Sequence, residues 1–211
     1  MKSQELLDDL IKRYPNLEVC KESIYQAFLL LANSFESGSK LLIAGNGGSA
    51  ADSNHIVGEL MKSFELKRPI KEDLYDEILK NEKYGESLAN SLQGALPAIS
   101  LNNHESLNTA FLNDVNPYVT FAQQVLGYGV KNDVFLGIST SGNSKNVIMA
   151  AIVAKAKRMI VIGLTGQKDS ELSHIADVTI QVPETRTYKI QELHLPIYHC
   201  FCLMLENYFF N

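Results

Sequence analysis

The spacing of hydrophobic residues changes near residue 38, and this change separates predicted helices from predicted strands. Before it, apolar residues recur every three or four positions, which is typical of one buried helix face. The first stripe ends before Pro15 and the second before Gly38, residues that commonly end helices. The stripes consist of Leu6, Leu7, Leu10 and Ile11, followed by Ile24, Ala27, Phe28, Leu31 and Phe35.

Five short runs of continuous apolar residues follow, and each is typical of a strand buried on both faces. Helical patterns separate the last four runs, and a long apolar helix from about Ile190 ends the sequence. This alternation predicts an α/β fold with a doubly wound parallel sheet. The five runs are residues 40–45, 97–101, 134–139, 159–164 and 178–182.

Residues 62–92 differ in their charge pattern from the rest of the sequence. Their charges alternate in sign along the segment KEDLYDEILKNEKYGES. Such alternation is typical of solvent-exposed helices. We therefore expect one or two solvated helices, inserted before the second strand.

Composition narrows the class of protein. The 211 residues suit a single domain, and the net charge of −5 with no basic block argues against nucleic-acid binding. No apolar run reaches the ~18 residues of a membrane span, and the first residues lack the pattern of a signal peptide. Three cysteines, Cys20, Cys200 and Cys202, are too sparse for a disulfide framework. These features favour a reduced, cytoplasmic protein.

The loop after the first predicted strand, GNGGSAAD (residues 45–52), is suited to an anion. Its glycines allow close approach of the backbone, and the helix that follows offers free N–H groups. The spacing of Gly45, Gly47 and Ala50 also matches a dinucleotide fingerprint. The second strand with an acidic end that this fingerprint requires is missing, which disfavours a nucleotide-binding enzyme. Taken alone, the loop is equally compatible with a tight turn that binds nothing.

The loop after the third predicted strand, ISTSGNS (residues 138–144), is rich in hydroxyl groups and precedes a helix. Hydroxyl donors and a helix dipole favour phosphate binding, although a capped turn is the simpler alternative. Its position opposite the first glycine loop favours phosphate. The lysine of a nucleotide-binding P-loop is absent, which argues against a nucleoside triphosphate. The four hydroxyls are those of Ser139, Thr140, Ser141 and Ser144.

Two helices supply candidates for acid–base chemistry. His55 and Glu59 are four residues apart and share one helix face, where they suit a divalent metal or proton transfer. A simple ion pair is the alternative. The final helix is otherwise apolar, so its polar residues must meet partners. These residues are Gln191, Glu192, His194 and His199.

Together these motifs resemble a known family. GNGGSAADSNH, LNDV, ISTSGNS and IQELHLPIYH are similar to the sugar isomerase (SIS) fold and, within it, to sedoheptulose-7-phosphate isomerases, also called phosphoheptose isomerases. The resemblance implies a flavodoxin-like sheet of five parallel strands. It also implies an SIS domain over residues 38–211, with the insertion at 62–92. Residues 1–37 would then be N-terminal helices that pack on this domain and on partner subunits.

The resemblance also implies a role for each matching residue. The sugar site would be lined by Asn46, Gly47, Gly48 and Ser49. The phosphate would be held by Ser139, Thr140, Ser141 and Ser144. Further substrate contacts would come from Asn113, Asp114, Glu59 and Gln191. One zinc ion (Zn2+) per subunit would be bound by His55, Glu59, Gln191 and His199, of which Glu59 and His199 would also be the general base and general acid.

The implied activity is the conversion of sedoheptulose 7-phosphate to D-glycero-D-manno-heptose 7-phosphate by enediol proton transfer. This is the first step toward activated heptose for lipopolysaccharide or capsule, and the family's enzymes are cytoplasmic homotetramers. Lys62, Ser63 and Lys189 depart from the family pattern, which keeps an isomerase for another ketose phosphate as an alternative. A non-catalytic SIS module that senses a sugar phosphate or docks on a protein is a second alternative. The presence of Glu59 and His199 favours the enzyme.

The final helix offers evidence on whether subunits of this protein pack together. Gln191 and His199 lie eight residues apart, about 12 Å along a helix, so they must lean together to share one metal. The helix is apolar around most of its circumference, which predicts that it is buried. We expect burial between subunits that share a site. Packing under the N-terminal helices of the same subunit is the alternative.

Overall fold

The computed structural model describes residues 2–211, with side chains from Ser3 onward, and its centre is one parallel sheet of five strands. The strand order is β2-β1-β3-β4-β5, the flavodoxin-like order, which confirms the predicted fold class. The strands are β1 (Leu41–Gly45), β2 (Ala98–Ser100), β3 (Val134–Ile138), β4 (Ile160–Thr165) and β5 (Val178–Gln181).

Helices cover both faces of the sheet. They are α1 (Lys2–Arg13), α2 (Lys21–Glu36), α3 (Gly48–Met61), α4 (Glu72–Leu79), α5 (Gly85–Ser91), α6 (Glu105–Asp114), α7 (Thr120–Tyr128), α8 (Lys145–Ala156), α9 (Glu171–Ile175) and α10 (Thr187–Phe210). Short 3-10 helices lie at Pro15–Cys20, Leu101–Asn103 and Pro117–Val119. Within the described part of the chain, no helix is both long enough and apolar enough to cross a membrane.

The sheet separates two hydrophobic cores. Successive strand residues point to opposite faces, so Leu41 and Ile43 enter the core under α1, α2, α3 and α10. Leu42 and Ala44 enter the core under α7 and α8. Because both faces are covered, the strands read as continuous apolar runs rather than as alternating patterns.

The final helix α10 is buried within the chain. It packs against α1, α2 and α3, and its buried residues include Ile197, Phe201 and Leu205. Most of its apolar residues are therefore covered inside one subunit, which is the alternative considered in the sequence analysis, while Leu195 stays exposed. The oligomeric state itself stays a prediction.

The insertion forms two short helices, α4 and α5, in agreement with the predicted one or two helices, and the two pack on each other. None of the residues of α4 is buried. The base of the insertion is held by Arg68, whose fully buried side chain pairs with Glu206 of α10 at 2.7 Å. Arg68 also donates to the carbonyl oxygens of Glu59 and Leu60 at 2.9 Å each. One buried arginine thus ties the end of α3 to both α10 and the insertion.

Candidate active site

A cavity of about 330 Å³ lies at the carboxyl edge of the sheet, where the loops after the neighbouring strands β1 and β3 meet. This is where open parallel sheets bind ligands. We call it the hydroxyl pocket. Its lining residues are Asn46, Gly47, Gly48, Ser49, Ile138, Ser139, Thr140, Ser144, Thr187 and Gln191.

Three helices begin at the wall of the hydroxyl pocket. Their N-cap residues are Gly47 for α3, Ser144 for α8 and Arg186 for α10, and none of the three makes a side-chain capping hydrogen bond. The first N–H groups of a helix have no partner within the helix, and the helix dipole favours negative charge there. The convergence of three such ends makes the pocket suited to an anion.

Three of the four hydroxyl residues of the ISTSGNS loop line this pocket. Ser139 is buried, and its Oγ lies 2.9 Å from Oγ of Ser144. Thr140 lies between the hydroxyl pocket and an adjoining cavity of about 280 Å³. Ser141 is exposed in that adjoining cavity, where its Oγ accepts a hydrogen bond from the N–H of Asn143 at 3.1 Å. Ser139 and Ser144 are therefore better placed than Ser141 for a ligand in the hydroxyl pocket.

The glycine loop contributes backbone and one amide. Gly47 has φ +56°, a left-handed conformation that favours glycine. At Gly48 an added Cβ would lie 2.5 Å from Nε2 of Gln191, so glycine leaves room for the end of this flexible side chain, which would otherwise have to shift. Asn46 exchanges two amide hydrogen bonds of 2.9 Å with Asn146 of α8. Asn146 was not predicted as a site residue, although its place at the start of the helix after the serine loop was a usable signal.

Asn113 and Asp114 lie away from the hydroxyl pocket. Both are exposed at the end of α6, a helix with no buried residue, and the Nδ2 group of Asn113 donates to Oδ1 of Asp114 at 2.7 Å. Neither residue lines the pocket. Their contact with substrate stays a prediction.

Helices α3 and α10 run side by side in the same direction. Gly48 at the start of α3 faces Gln191 near the start of α10, and His55 further along faces Tyr198 and His199. Gln191 and His199 therefore contact α3 about two turns apart. The convergence of these two side chains on one metal stays a prediction.

The residues that gather between these helices form a second region, which we call the histidine cluster and define as His55, Glu59, Tyr198 and His199. His55 Nε2 lies 3.1 Å from Glu59 Oε1, and His55 Nδ1 lies 3.0 Å from the Tyr198 hydroxyl. The rings of His55 and His199 meet edge to face with centroids 5.0 Å apart. The structure thus brings together three of the four predicted metal ligands.

Burial shapes the chemistry of His199. Desolvation lowers the pKa of its imidazole most, and the neighbouring His55 lowers it further. Its Nε2 is buried and has no hydrogen-bond partner among the described residues. A neutral imidazole with a free nitrogen is suited to exchange protons with a bound molecule.

Asp52 and Tyr198 were not among the residues predicted from the sequence. The Tyr198 hydroxyl donates to Oδ1 of Asp52 at 3.2 Å, and burial raises the pKa of both groups. Asp52 lies one turn before His55 and therefore shares its helix face, which was a signal for the carboxylate. The sequence carried no comparable signal for Tyr198, because its partners come from another helix.

His194 is separate from this chemistry. It is fully buried, its Nε2 lies 3.3 Å from the carbonyl oxygen of Thr165, and burial lowers its pKa to about 4. His194 therefore has a structural partner at one nitrogen, whereas its buried Nδ1, like Nε2 of His199, has no hydrogen-bond partner among the described residues. Glu192 is exposed to solvent.

The donor set is chemically suited to zinc, since imidazole and carboxylate are its usual nitrogen and oxygen ligands. The unpartnered Nε2 of His199 fits such a role. In residues 3–211, however, no three His, Cys, Asp or Glu side chains are spaced to hold a metal ion. Gln191 contacts Gly48 in the hydroxyl pocket.

Comparison with known proteins gives a consistent result. SIS domain models match residues 8–84 and 107–206. The chain is 38% identical to phosphoheptose isomerase 2 of Campylobacter jejuni, covering 89% of this chain and 81% of that protein. It is 36% identical to the phosphoheptose isomerase of Helicobacter pylori, covering 97% and 98%.

Solved structures of phosphoheptose isomerases are also similar to this chain. The phosphoheptose isomerase of Neisseria gonorrhoeae superposes with a TM-score of 0.73 at 30% identity, covering 98% of this chain and 94% of that one. The phosphoheptose isomerase of Francisella tularensis gives a TM-score of 0.76 at 28% identity, covering 98% and 97%.

Proposed function

The chain belongs to the phosphoheptose isomerase family of SIS-domain proteins, and from this premise we propose how its residues divide the reaction. The enzyme is an aldose–ketose isomerase that converts sedoheptulose 7-phosphate to D-glycero-D-manno-heptose 7-phosphate in heptose biosynthesis. The division of roles rests on one observation. The hydroxyl pocket and the histidine cluster lie along the same pair of parallel helices, α3 and α10.

The hydroxyl pocket is the proposed phosphate site. Three uncapped helix N-termini and the hydroxyls of Ser139 and Ser144 offer donors to a dianion. Binding the phosphate far from the reacting carbons lets binding energy orient the sugar for the chemical step.

The sugar chain is then proposed to run from the pocket along α3 to the histidine cluster. Gly48 and His55 are seven residues apart, about 10 Å along the helix. An extended seven-carbon chain suits that separation. Asn46 and Gln191, at the wall of the pocket, are placed to meet its hydroxyl groups.

Glu59 and His199 are the proposed catalytic residues. The Glu59 carboxylate takes a proton from C1 of the ketose, giving an enediol, and returns it to C2. His199 donates a proton to the carbonyl oxygen at C2 and accepts the proton of the hydroxyl at C1. Its lowered pKa favours the neutral imidazole, whose single N–H can give a proton to one oxygen and then take one back from the other. Atoms and charge balance over the two steps.

Zinc is the proposed cofactor, one ion per subunit, with His55, Glu59 and His199 as ligands and Gln191 as the fourth ligand that the family resemblance implies. A bound zinc ion polarises the substrate carbonyl. The support is the donor chemistry and the unpartnered Nε2 of His199.

We further propose a cytoplasmic homotetramer that supplies heptose for lipopolysaccharide or capsule. The tetramer and the pathway rest on the family resemblance. The three cysteines, all buried and unpaired, support a reducing compartment. Light scattering at low micromolar concentration tests the tetramer, and a fully active monomer would contradict a shared site.

A panel of ketose phosphates tests the activity and its specificity. The purified protein is incubated with each sugar, with added zinc or with a chelator, and aldose phosphate formation is followed. We expect the highest kcat/KM for sedoheptulose 7-phosphate and loss of turnover with the chelator. A higher kcat/KM for another ketose phosphate would change the substrate. Binding without turnover of any sugar, zinc present, would favour a sensing module.

A further inference from the structure

The last turn of α3, which ends at Met61, carries Glu59, the proposed general base. The last four carbonyl groups of a helix have no partner within the helix. Here one side chain satisfies two of them, because Nη2 of Arg68 donates to the carbonyl oxygen of Glu59 and Nη1 donates to that of Leu60, each at 2.9 Å. The guanidinium group thus caps the turn that carries the proposed base.

The cap at Glu59 has no substitute within the described chain. The carbonyl oxygen of Leu60 also accepts from the N–H of Leu96 at 3.0 Å. For the carbonyl oxygen of Glu59, Arg68 is the only described donor from outside α3. The Glu59 side chain bonds His55 at 3.1 Å, but His55 belongs to the same helix. That bond therefore does not fix the turn relative to α10.

Arg68 is itself held firmly by α10. Its side chain is fully buried, and its Nε donates to Oε1 of Glu206 at 2.7 Å. Its guanidinium carbon lies 4.9 Å from the centre of the Phe210 ring. Both partners belong to the helix that carries His199, the proposed general acid. Because the guanidinium is planar with its donors in a fixed geometry, it couples the position of α10 to the end of α3.

Glu206 extends this contact to the segment that follows α3. Its two carboxylate oxygens accept from the N–H groups of Phe64, at 2.8 Å, and of Glu65, at 2.9 Å. The ring of Phe64 lies against the ring of His199, with centroids 5.5 Å apart. The buried pair of Arg68 and Glu206 is therefore connected to both proposed catalytic residues.

We propose that Arg68 is a positioning residue that sets the place of the Glu59 carboxylate relative to His199. This inference rests on the proposed function, in which Glu59 and His199 are the catalytic residues. A displacement of about 1 Å can lower the rate of a reaction about 100-fold. Gly48, at the hydroxyl pocket, lies about 16 Å along α3 from Glu59. Loss of the cap should therefore lower kcat and leave KM nearly unchanged.

Arg68→Lys tests the cap while keeping a positive charge beside Glu206. Lysine lacks the planar set of donors that reaches two carbonyl groups as well as the carboxylate. Steady-state kinetics with sedoheptulose 7-phosphate and added zinc should give a kcat about 10- to 100-fold lower, with KM changed less than about threefold. An unchanged kcat, or a rise in KM as large as the fall in kcat, would overturn the inference.

Lys40→Met is the matched control for lost stability. Lys40 precedes β1 and pairs at 2.7 Å with Asp133, which is fully buried and precedes β3. This substitution also leaves a buried carboxylate without its ion-pair partner, but at the edge of the sheet opposite the hydroxyl pocket. We expect kcat to stay within about twofold of the unaltered value. A fall in kcat as large as that of Arg68→Lys would show that lost stability alone explains the effect, and would overturn the inference.

Hydrogen–deuterium exchange followed by mass spectrometry tests the cap independently of turnover and of how the variants fold. In the unaltered protein, residues 58–61 should exchange at least about tenfold more slowly than the last turn of α4, a helix with no buried residue. Arg68→Lys should remove most of this difference, and Lys40→Met should keep it. Equal exchange at the two helix ends of the unaltered protein would overturn the inference. Failure of the unaltered protein to isomerise any ketose phosphate would instead remove the proposed function, and the exchange result would still show whether Arg68 caps α3.

Discussion

The hydroxyl pocket and the histidine cluster are assembled in different ways. The pocket combines the loops after two neighbouring strands, β1 and β3, with the start of α10. The cluster joins α3 to α10, whose residues His55 and His199 are far apart in the sequence. Sheet topology thus brings most of the pocket together, whereas the cluster depends on the register of two packed helices. Anion recognition here is mainly a property of loops, and acid–base chemistry is a property of tertiary packing.

The two regions also differ in polarity. The pocket presents uncapped helix ends and hydroxyls, groups that favour a bound anion. The cluster contains a carboxylate, two imidazoles and a phenol, with a buried nitrogen on His199 that lacks a partner. Substitutions in the pocket should therefore raise KM, while substitutions in the cluster should lower kcat.

The largest effect is expected at Glu59. Glu59→Gln keeps the size of the side chain but removes the base, so kcat should fall about 100- to 10,000-fold while KM for the sugar phosphate stays near normal. Steady-state kinetics with sedoheptulose 7-phosphate measures both constants. Glu192→Gln, an exposed glutamate of α10, is the control and should leave both unchanged. A Glu59→Gln enzyme with near-normal kcat would remove Glu59 as the base.

The register that builds the cluster can be tested through Arg68 and Glu206. Arg68→Met leaves a buried carboxylate without its ion-pair partner and removes two hydrogen bonds to carbonyl groups of α3, which should cost about 3–5 kcal/mol in the free energy of unfolding. Urea denaturation measures this loss. Lys155→Met breaks the exposed pair with Asp177 and should cost less than about 1 kcal/mol. Equal losses in both variants would show that the buried pair does not hold the helices.

The same contrast explains what could be predicted from the sequence. Apolar runs such as residues 134–139 predicted every strand, because burial on both faces leaves a strong local pattern. Ser139 and Ser144 were found because they lie in the loop that follows a strand. Tyr198 was missed, since its role depends on which residue of α3 it faces across the helix pair.

The final helix shows most clearly what could not be predicted from the sequence. Its apolar circumference correctly predicted burial, but composition cannot say whether the covering helices belong to the same subunit. In the structure α1, α2 and α3 cover it. The eight-residue spacing of Gln191 and His199 was likewise visible, whereas their different partners on α3 were not.

His194 stands between Gln191 and His199 in the sequence of α10 and gives a pH-dependent prediction. Its pKa is about 4 when folded and 6.5 by default when unfolded, so between these values the unfolded chain binds a proton that the folded chain does not. Stability should therefore fall as the pH drops from 6.5 to 4, by on the order of 3 kcal/mol from this group. Urea denaturation at several pH values measures the slope. His194→Gln should flatten it, and His174→Gln, at an exposed position, should not.

The smallest effect is expected in the hydroxyl pocket, where the change in KM should distinguish Ser144 from the nearby Ser141. Ser144 lines the pocket and bonds Ser139, whereas Ser141 is exposed in the adjoining cavity and already accepts from a backbone N–H. A hydrogen bond to a charged group contributes about 1.5–3 kcal/mol, so Ser144→Ala should raise KM about 10- to 150-fold with little change in kcat. Ser141→Ala, the matched control, should change KM severalfold at most. A larger KM for Ser141→Ala than for Ser144→Ala would place the phosphate site in the adjoining cavity instead. The separation between the phosphate site and the histidine cluster would then have to be revised.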